Sequence, residues 1–121
     1  MPRIRTIKPD FWSDPDVCAL SRDARLLVVG LFSFADDDGR FIASPNAING
    51  YVFPFDELPI AKIRKWLSEA ADRDLVYLYR SDGLEYGCMP KWHRHQVINR
   101  YTPSKLPEPD IDCVPRSKAA A

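Results

Sequence analysis

Residues 75–89 constrain the fold most, because they predict a β-hairpin that directly follows a helix. Apolar and aromatic residues dominate 75–80 and 84–89, and Ser81-Asp82-Gly83 between them is typical of a tight turn. The preceding segment, Pro59 to about Asp74, carries apolar residues at helical spacing on one face and charged residues on the other. We therefore predict a helix–hairpin unit with the exposed cations in the N-terminal half of its helix.

Two further helices and a short strand are predicted before this unit. Ser21 is a candidate N-cap for a long helix that ends near Asp37, and Ser44-Pro45 for a short helix that ends near Val52. Residues 40–43 predict the strand between them. The apolar residues of the long helix point all round its axis, so we expect it to be central and covered on most sides. The order predicts an α+β fold of the winged helix-turn-helix type, with the hairpin as its wing.

Length and composition fit one domain. The chain has 121 residues, of which 45% are hydrophobic and 28% charged, as in an ordinary soluble domain. We expect residues 1–20 to form an extended N-terminal arm rather than a helix, and residues 21–102 the winged-helix domain. Residues 103–121 are expected to be a proline-rich linker or tail, and residues 118–121 a cloning scar or a trimmed linker.

The sequence lacks an apolar run long enough for a membrane span and a secretory leader at its start, so we expect a cytoplasmic protein without a membrane partner. Three cysteines, an odd number with long separations, do not predict a disulfide framework, and reduced thiols are expected. Cys88, His93, His95 and Cys113 would offer zinc ligands, but their spacing is not a recognised one. We predict no metal and no cofactor.

A glycine-rich phosphate loop, a His-Glu-x-x-His pair and a nucleophile-elbow serine are all missing from the sequence, so we expect no enzymatic activity. His93 and His95 alternate as strand neighbours would, which predicts that they share a face. The acidic cluster Asp36-Asp37-Asp38 lacks the calcium-loop pattern, and a solvated turn is the favoured interpretation.

Charge is balanced over the whole chain but not along it. The 17 Lys and Arg residues equal the 17 Asp and Glu residues in number, so DNA contact would depend on local segregation of charge. Residues 91–105 hold four cations and no acid, interleaved with aromatic and amide side chains, a mixture that nucleic-acid surfaces use. The alternative is a solvated basic strand that docks on the core. The candidate DNA-binding residues, from the arm, the third helix and this segment, are Arg3, Arg5, Lys62, Arg64, Lys65, Lys91, His93, Arg94, His95, Gln96, Asn99, Arg100 and Lys105.

Four segments carry a resemblance to a known family. They are residues 5–12 (RTIKPDFW), 34–40 (FADDDGR), 52–54 (VFP) and 92–100 (WHRHQVINR). With them the chain, from about residue 3 to 107, resembles the N-terminal domain of bacteriophage replication-initiation proteins, the replisome organisers akin to DnaD. The resemblance implies a winged helix, double-stranded DNA at a phage origin in the bacterial cytoplasm, self-association to a homo-oligomer, and recruitment of host helicase-loading machinery. Such proteins usually carry a C-terminal domain for single-stranded DNA or helicase contacts, so we expect helicase recruitment to need that further domain.

Three hypotheses follow for function. The first is a DNA-binding module that initiates phage DNA replication, and the second is a phage transcriptional repressor that binds an operator. The third is a protein–protein interaction module without strong DNA binding, which the zero net charge favours. The fold alone does not choose between them.

Overall fold

Five α-helices, one 3-10 helix and three strands make up residues 2–109, the part of the chain that the computed structural model describes. The expected cloning scar, Cys113 and the rest of residues 110–121 lie outside the described residues. In chain order the elements are the 3-10 helix Pro9–Ser13, α1 Pro15–Cys18, α2 Arg22–Phe34, β1 Arg40–Ile42, α3 Pro45–Val52, α4 Ile60–Asp72, β2 Tyr77–Ser81, β3 Leu84–Cys88 and α5 Trp92–His95.

Helix α2 is the centre of the core, as predicted, although not on all sides. The Ser21 side chain accepts the N–H of Ala24 and so caps the helix. Leu27 and Leu31 are fully buried, whereas Leu26 keeps 53% of its surface exposed, so one stripe of the helix faces solvent. The helix ends at Phe34 rather than near Asp37, because the chain turns extended at Ala35.

Helices α3 and α4 pack against α2. Ser44 caps α3 through the N–H of Ala47, which confirms the predicted start. Gly30 lets α3 come close, since a Cβ there would lie 2.6 Å from a methyl group of Val52. Helix α4 buries Ile63, Trp66, Leu67 and Ala70, but its first residue, Ile60, is 49% exposed although it follows the same helical spacing.

The three strands form an antiparallel sheet in the order β1-β3-β2. The hairpin turn is confirmed: Asp82 and Gly83 both have positive φ, at 51° and 80°, as a two-residue turn between Ser81 and Leu84 requires. In β1, Phe41 pairs with Gly87 of β3 and its ring fills the space where a side chain would stand. The sheet is thereby fixed to the helical core.

Two predictions of irregular or extended backbone are wrong. The arm contains helical turns, because Pro9 and Pro15 each begin one and Asp14 accepts the N–H of Asp16 as an N-cap. Residues 92–95 form helix α5 instead of a strand. Residues that are two positions apart on an α-helix are separated by more than half a turn, so His93 and His95 do not share a face.

Candidate nucleic-acid interface

The exposed face of α4 presents three of the predicted cations. Lys62 and Lys65 are exposed and make no ion pair or hydrogen bond with other described residues. Arg64 donates two hydrogen bonds to Glu85 of β3, each 3.1 Å long. The Arg64 hydrogen bonds, followed by its charge, hold the pKa of the Glu85 carboxyl below its ordinary value despite partial burial. This pair ties α4 to the hairpin.

The hairpin adds a cation that sequence reasoning missed. Arg80 of β2 has 66% of its side chain exposed and lies 3.9 Å from the same Glu85 carboxylate. It also donates to the carbonyl of Gly83 in the turn, beside the exposed Asp82. Arg64, Arg80 and the partly buried Glu85 therefore meet between α4 and the hairpin. Together with the two exposed lysines of the same helix we call them the α4–hairpin surface (Lys62, Arg64, Lys65, Arg80 and Glu85).

Two of the four cations of the predicted basic segment, Lys91 and Arg94, lie elsewhere, around α5. Lys91, Arg94 and His95 line a groove of about 440 Å³ together with Lys8 of the arm, whose Nζ donates to the carbonyl of Arg94. Burial is the largest cause that lowers the pKa of His95, and the positive charges of Lys8, Lys91 and Arg94 lower it further. The groove is not acid-free in space, because the arm and the end of α4 bring four carboxylates to its lining: Asp14, Asp16, Asp72 and Asp74.

The other two cations of the segment, Arg100 and Lys105, line a second groove of about 620 Å³. We call it the tail groove and define it by Phe34, Phe41, Ile42, Tyr51, Arg100 and Lys105. The structure thus separates the four cations of residues 91–105 into two places, neither of which includes the α4 cations.

Gln96 and Asn99 hold the arm. The Gln96 side chain is buried, accepts the N–H of Thr6 at 3.0 Å and donates to the Thr6 carbonyl at 2.8 Å. The Asn99 carbonyl accepts from Arg3 at 3.0 Å. The Gln96 amide predicted for nucleic-acid contact is therefore occupied within the chain, whereas Asn99 contributes its backbone carbonyl to the arm contact.

Arg3 and Arg5, the candidate DNA-binding residues of the arm, bind the turn after α2. Arg3 donates to both oxygens of Asp37 at 2.8 Å, and Arg5 donates to one of them at 3.1 Å. The Arg5 guanidinium also lies 5.0 Å from the centre of the Trp92 ring. Arg5 is 5% exposed, so its charge faces the interior of the chain instead of a ligand.

The turn Asp36-Asp37-Asp38 is therefore not the solvated turn that the sequence predicted. Asp37 is 3% exposed and accepts the N–H of Thr102 at 2.8 Å in addition to the two arginines. Burial raises the pKa of the Asp37 carboxyl, but these hydrogen bonds outweigh it and hold the pKa below its ordinary value. Asp38 accepts the Tyr101 hydroxyl at 2.7 Å, and its carboxylate lies 3.8 Å from His93. The turn joins the arm to the tail.

Residues 103–107, which begin the segment expected as a linker, are bound to the domain. The Ser104 hydroxyl donates to Asp36, the Arg40 guanidinium donates to the Leu106 carbonyl at 3.2 Å, and the Tyr79 hydroxyl donates to the Pro107 carbonyl at 2.7 Å. The unfavourable placement of three acids after a helix was the one sequence signal for this turn. The residues that bind this turn are distant in sequence, so no sequence pattern indicated that they would contact it.

Among residues 2–109, no group of three or more His, Cys, Asp or Glu side chains is arranged to hold a metal ion. Cys88 is fully buried and disulfide-bonded, which contradicts the expectation that all three thiols are reduced, while Cys18 is a free, exposed thiol. None of the helices in the described part of the chain is long and apolar enough to cross a membrane.

Comparisons of the chain with protein-family models, with curated proteins and with solved structures found no match.

Proposed function

We propose that the chain is a DNA-binding module in which α2, β1, α3, α4 and the β2–β3 hairpin form a winged helix. The observation that carries this proposal is the α4–hairpin surface, where Arg64 of α4 and Arg80 of the hairpin flank the Glu85 carboxylate and α4 also exposes Lys62 and Lys65. In such folds the second helix of a helix–turn–helix enters the major groove while neighbouring elements contact the backbone. Lys62 and Lys65 have no partner among the described residues, and Arg80, which contacts Glu85 and Gly83, keeps 66% of its side chain exposed, so these three side chains can reach phosphates or guanine edges.

This proposal moves the binding surface away from residues 91–105. Those cations are divided between two grooves, and carboxylates adjoin Lys91 and Arg94. Arg3 and Arg5 are engaged by Asp37, so they position the arm instead of extending the footprint. The biological role that the resemblance favours is initiation of phage DNA replication at an origin duplex, and helicase recruitment would depend on a further domain.

Duplex binding by the α4–hairpin surface is tested by fluorescence anisotropy of a labelled 20-base-pair duplex at 50 and 200 mM salt. Three phosphate contacts would give a slope of log K against log salt of about −2.7, from roughly −0.9 for each. The K62E/K65E double variant should bind at least about tenfold more weakly at 50 mM salt, with the slope reduced to about −0.9. Arg22→Glu, an exposed cation at the start of α2, is the control and should leave binding unchanged. Equal binding by K62E/K65E and the unmodified chain would refute the proposed surface.

A protein-assembly module is the second candidate, favoured by two exposed apolar residues around the start of α4. Phe55 is 98% exposed and Ile60 is 49% exposed, which is unusual for bulky side chains on a DNA-facing turn. This candidate predicts no duplex affinity at 50 mM salt, together with concentration-dependent association in light scattering that Phe55→Ser abolishes. Association without duplex binding would replace the first proposal with the second.

A further inference from the structure

The tail groove is an apolar cavity that the proposed DNA contacts do not use. It lies where the ends of α2 and α3, strand β1 and the tail meet, and its volume of about 620 Å³ falls within the range of ligand pockets, roughly 300–1,000 Å³. Neither Lys62 nor Lys65 lines it. A ligand in this groove would therefore be independent of the α4–hairpin surface.

Aromatic and aliphatic side chains form the floor of the groove. Phe34 stacks on Tyr51 with ring centres 4.9 Å apart and planes inclined by 13°. Tyr51 and Ile42 each keep 38% of their surface exposed, so an incoming apolar group would find them accessible. Burying one bulky side chain against such a floor stabilises a complex by removing apolar surface from water.

The free charge at the rim of the groove is positive. Arg100 and Lys105 are exposed and make no ion pair or hydrogen bond within the described residues. The acids that also line the groove are already engaged: Asp37 by the arm and Thr102, and Asp36 by Ser104 and the N–H of Arg40. An acidic ligand would therefore meet two cations without partners, while a basic ligand would have to compete for the two carboxylates.

We propose that the tail groove binds an acidic peptide segment of a partner protein. One aromatic or large aliphatic side chain of that segment occupies the floor between Tyr51 and Ile42, and its neighbouring carboxylates lie against Arg100 and Lys105. Single-stranded nucleic acid fits less well, because its backbone needs a continuous row of cations and its bases need open aromatic faces. Here the Phe34 and Tyr51 rings cover each other, and two carboxylates line the cavity.

The binding test uses the full chain and a fluorescein-labelled ten-residue peptide of Asp and Glu with a central Phe. Anisotropy at 50 mM salt should show saturable binding. A peptide with Ser in place of Phe should bind more than about tenfold more weakly, because the apolar anchor is lost. A peptide with Lys in place of the acids should not bind measurably.

Variants place the peptide in the groove. R100E/K105E should weaken binding of the Phe peptide about tenfold, since two attractions become repulsions. K62E/K65E reverses the same number of charges outside the groove and should leave peptide binding unchanged, although it weakens duplex binding. Circular dichroism of both variants checks that they are folded.

Three results would overturn the inference. The first is no binding of the Phe peptide, and the second is equal binding of the Ser peptide, which would indicate charge attraction without a pocket. The third is displacement of the peptide by a single-stranded oligonucleotide that itself loses affinity in R100E/K105E, which would assign the groove to nucleic acid. Because the α4–hairpin surface is tested separately with duplex DNA, failure of either proposal leaves the other standing.

Discussion

Replacing Asp37 with Asn removes the charge that two arginines of the arm share. The Asp37 and Arg5 side chains are 3% and 5% exposed, so they form a buried pair, and removal of one partner of such a pair costs about 3–5 kcal/mol. Arg3 is 36% exposed, and its pair adds about 1 kcal/mol or less because water screens it. Asn keeps an oxygen that can still accept the N–H of Thr102, which favours the lower end. We expect a loss of about 3 kcal/mol in the free energy of unfolding.

Urea unfolding followed by circular dichroism measures this loss. With a slope of about 1.5 kcal/mol per molar urea, the midpoint should fall by about 2 M. Asp72→Asn at the exposed end of α4 is the matched control and should change the stability by less than about 0.5 kcal/mol. In a double-mutant cycle with Arg5→Met, the coupling energy should exceed about 1 kcal/mol. If Asp37→Asn is no more destabilising than Asp72→Asn, the turn does not hold the arm as we describe.

Three further outcomes are expected. The pKa of Asp37 is lower in the folded state than its unfolded value of about 3.9. The Asp37 carboxylate therefore stabilises the fold above about pH 3.9, and this stabilisation is lost as the pH falls through the lower folded pKa. Asp37→Asn should remove this part of the acid dependence of the free energy of unfolding. Gly87→Ala should lower stability by about 1–3 kcal/mol in thermal unfolding, because the new methyl group would collide with the ring of Phe41, and an unchanged melting temperature would contradict that packing. Burial raises the pKa of Tyr79 to about 12, so Tyr79→Phe should remove an ionisation near pH 12 from the ultraviolet titration of the tyrosines. If the variant instead lacks an ionisation near pH 10, the Tyr79 hydroxyl is not buried as described.

Local signals predicted the elements that the chain specifies within a few residues. Ser21 and Ser44 cap helices through N–H groups three residues away, and Asp82-Gly83 adopts the positive φ angles of a tight turn. These features depend on neighbouring residues alone, so a sequence pattern suffices to find them. Helix α5 was missed because four residues are too few to show a helical period.

The arrangement of the candidate site could not be predicted in the same way. Arg3 contacts Asp37 across 34 positions and Thr6 contacts Gln96 across 90, and no pattern along the chain indicates such pairs. Charge counted along residues 91–105 therefore suggested one basic surface, whereas folding separates its cations and sets acids beside two of them. The three α4 cations gain Arg80 from the hairpin, which no pattern along the chain indicated.

The central claim is that duplex DNA binds at α4 and the hairpin. Amide chemical-shift mapping tests it most directly: the full chain, labelled with ¹⁵N, is titrated with a 20-base-pair duplex at 50 mM salt. We predict that the largest shifts occur in the N-terminal half of α4 and at residues 80–85, with small changes at Arg3, Arg5 and Gln96. Shifts confined to residues 91–105, or no shifts at saturating duplex, would contradict the account.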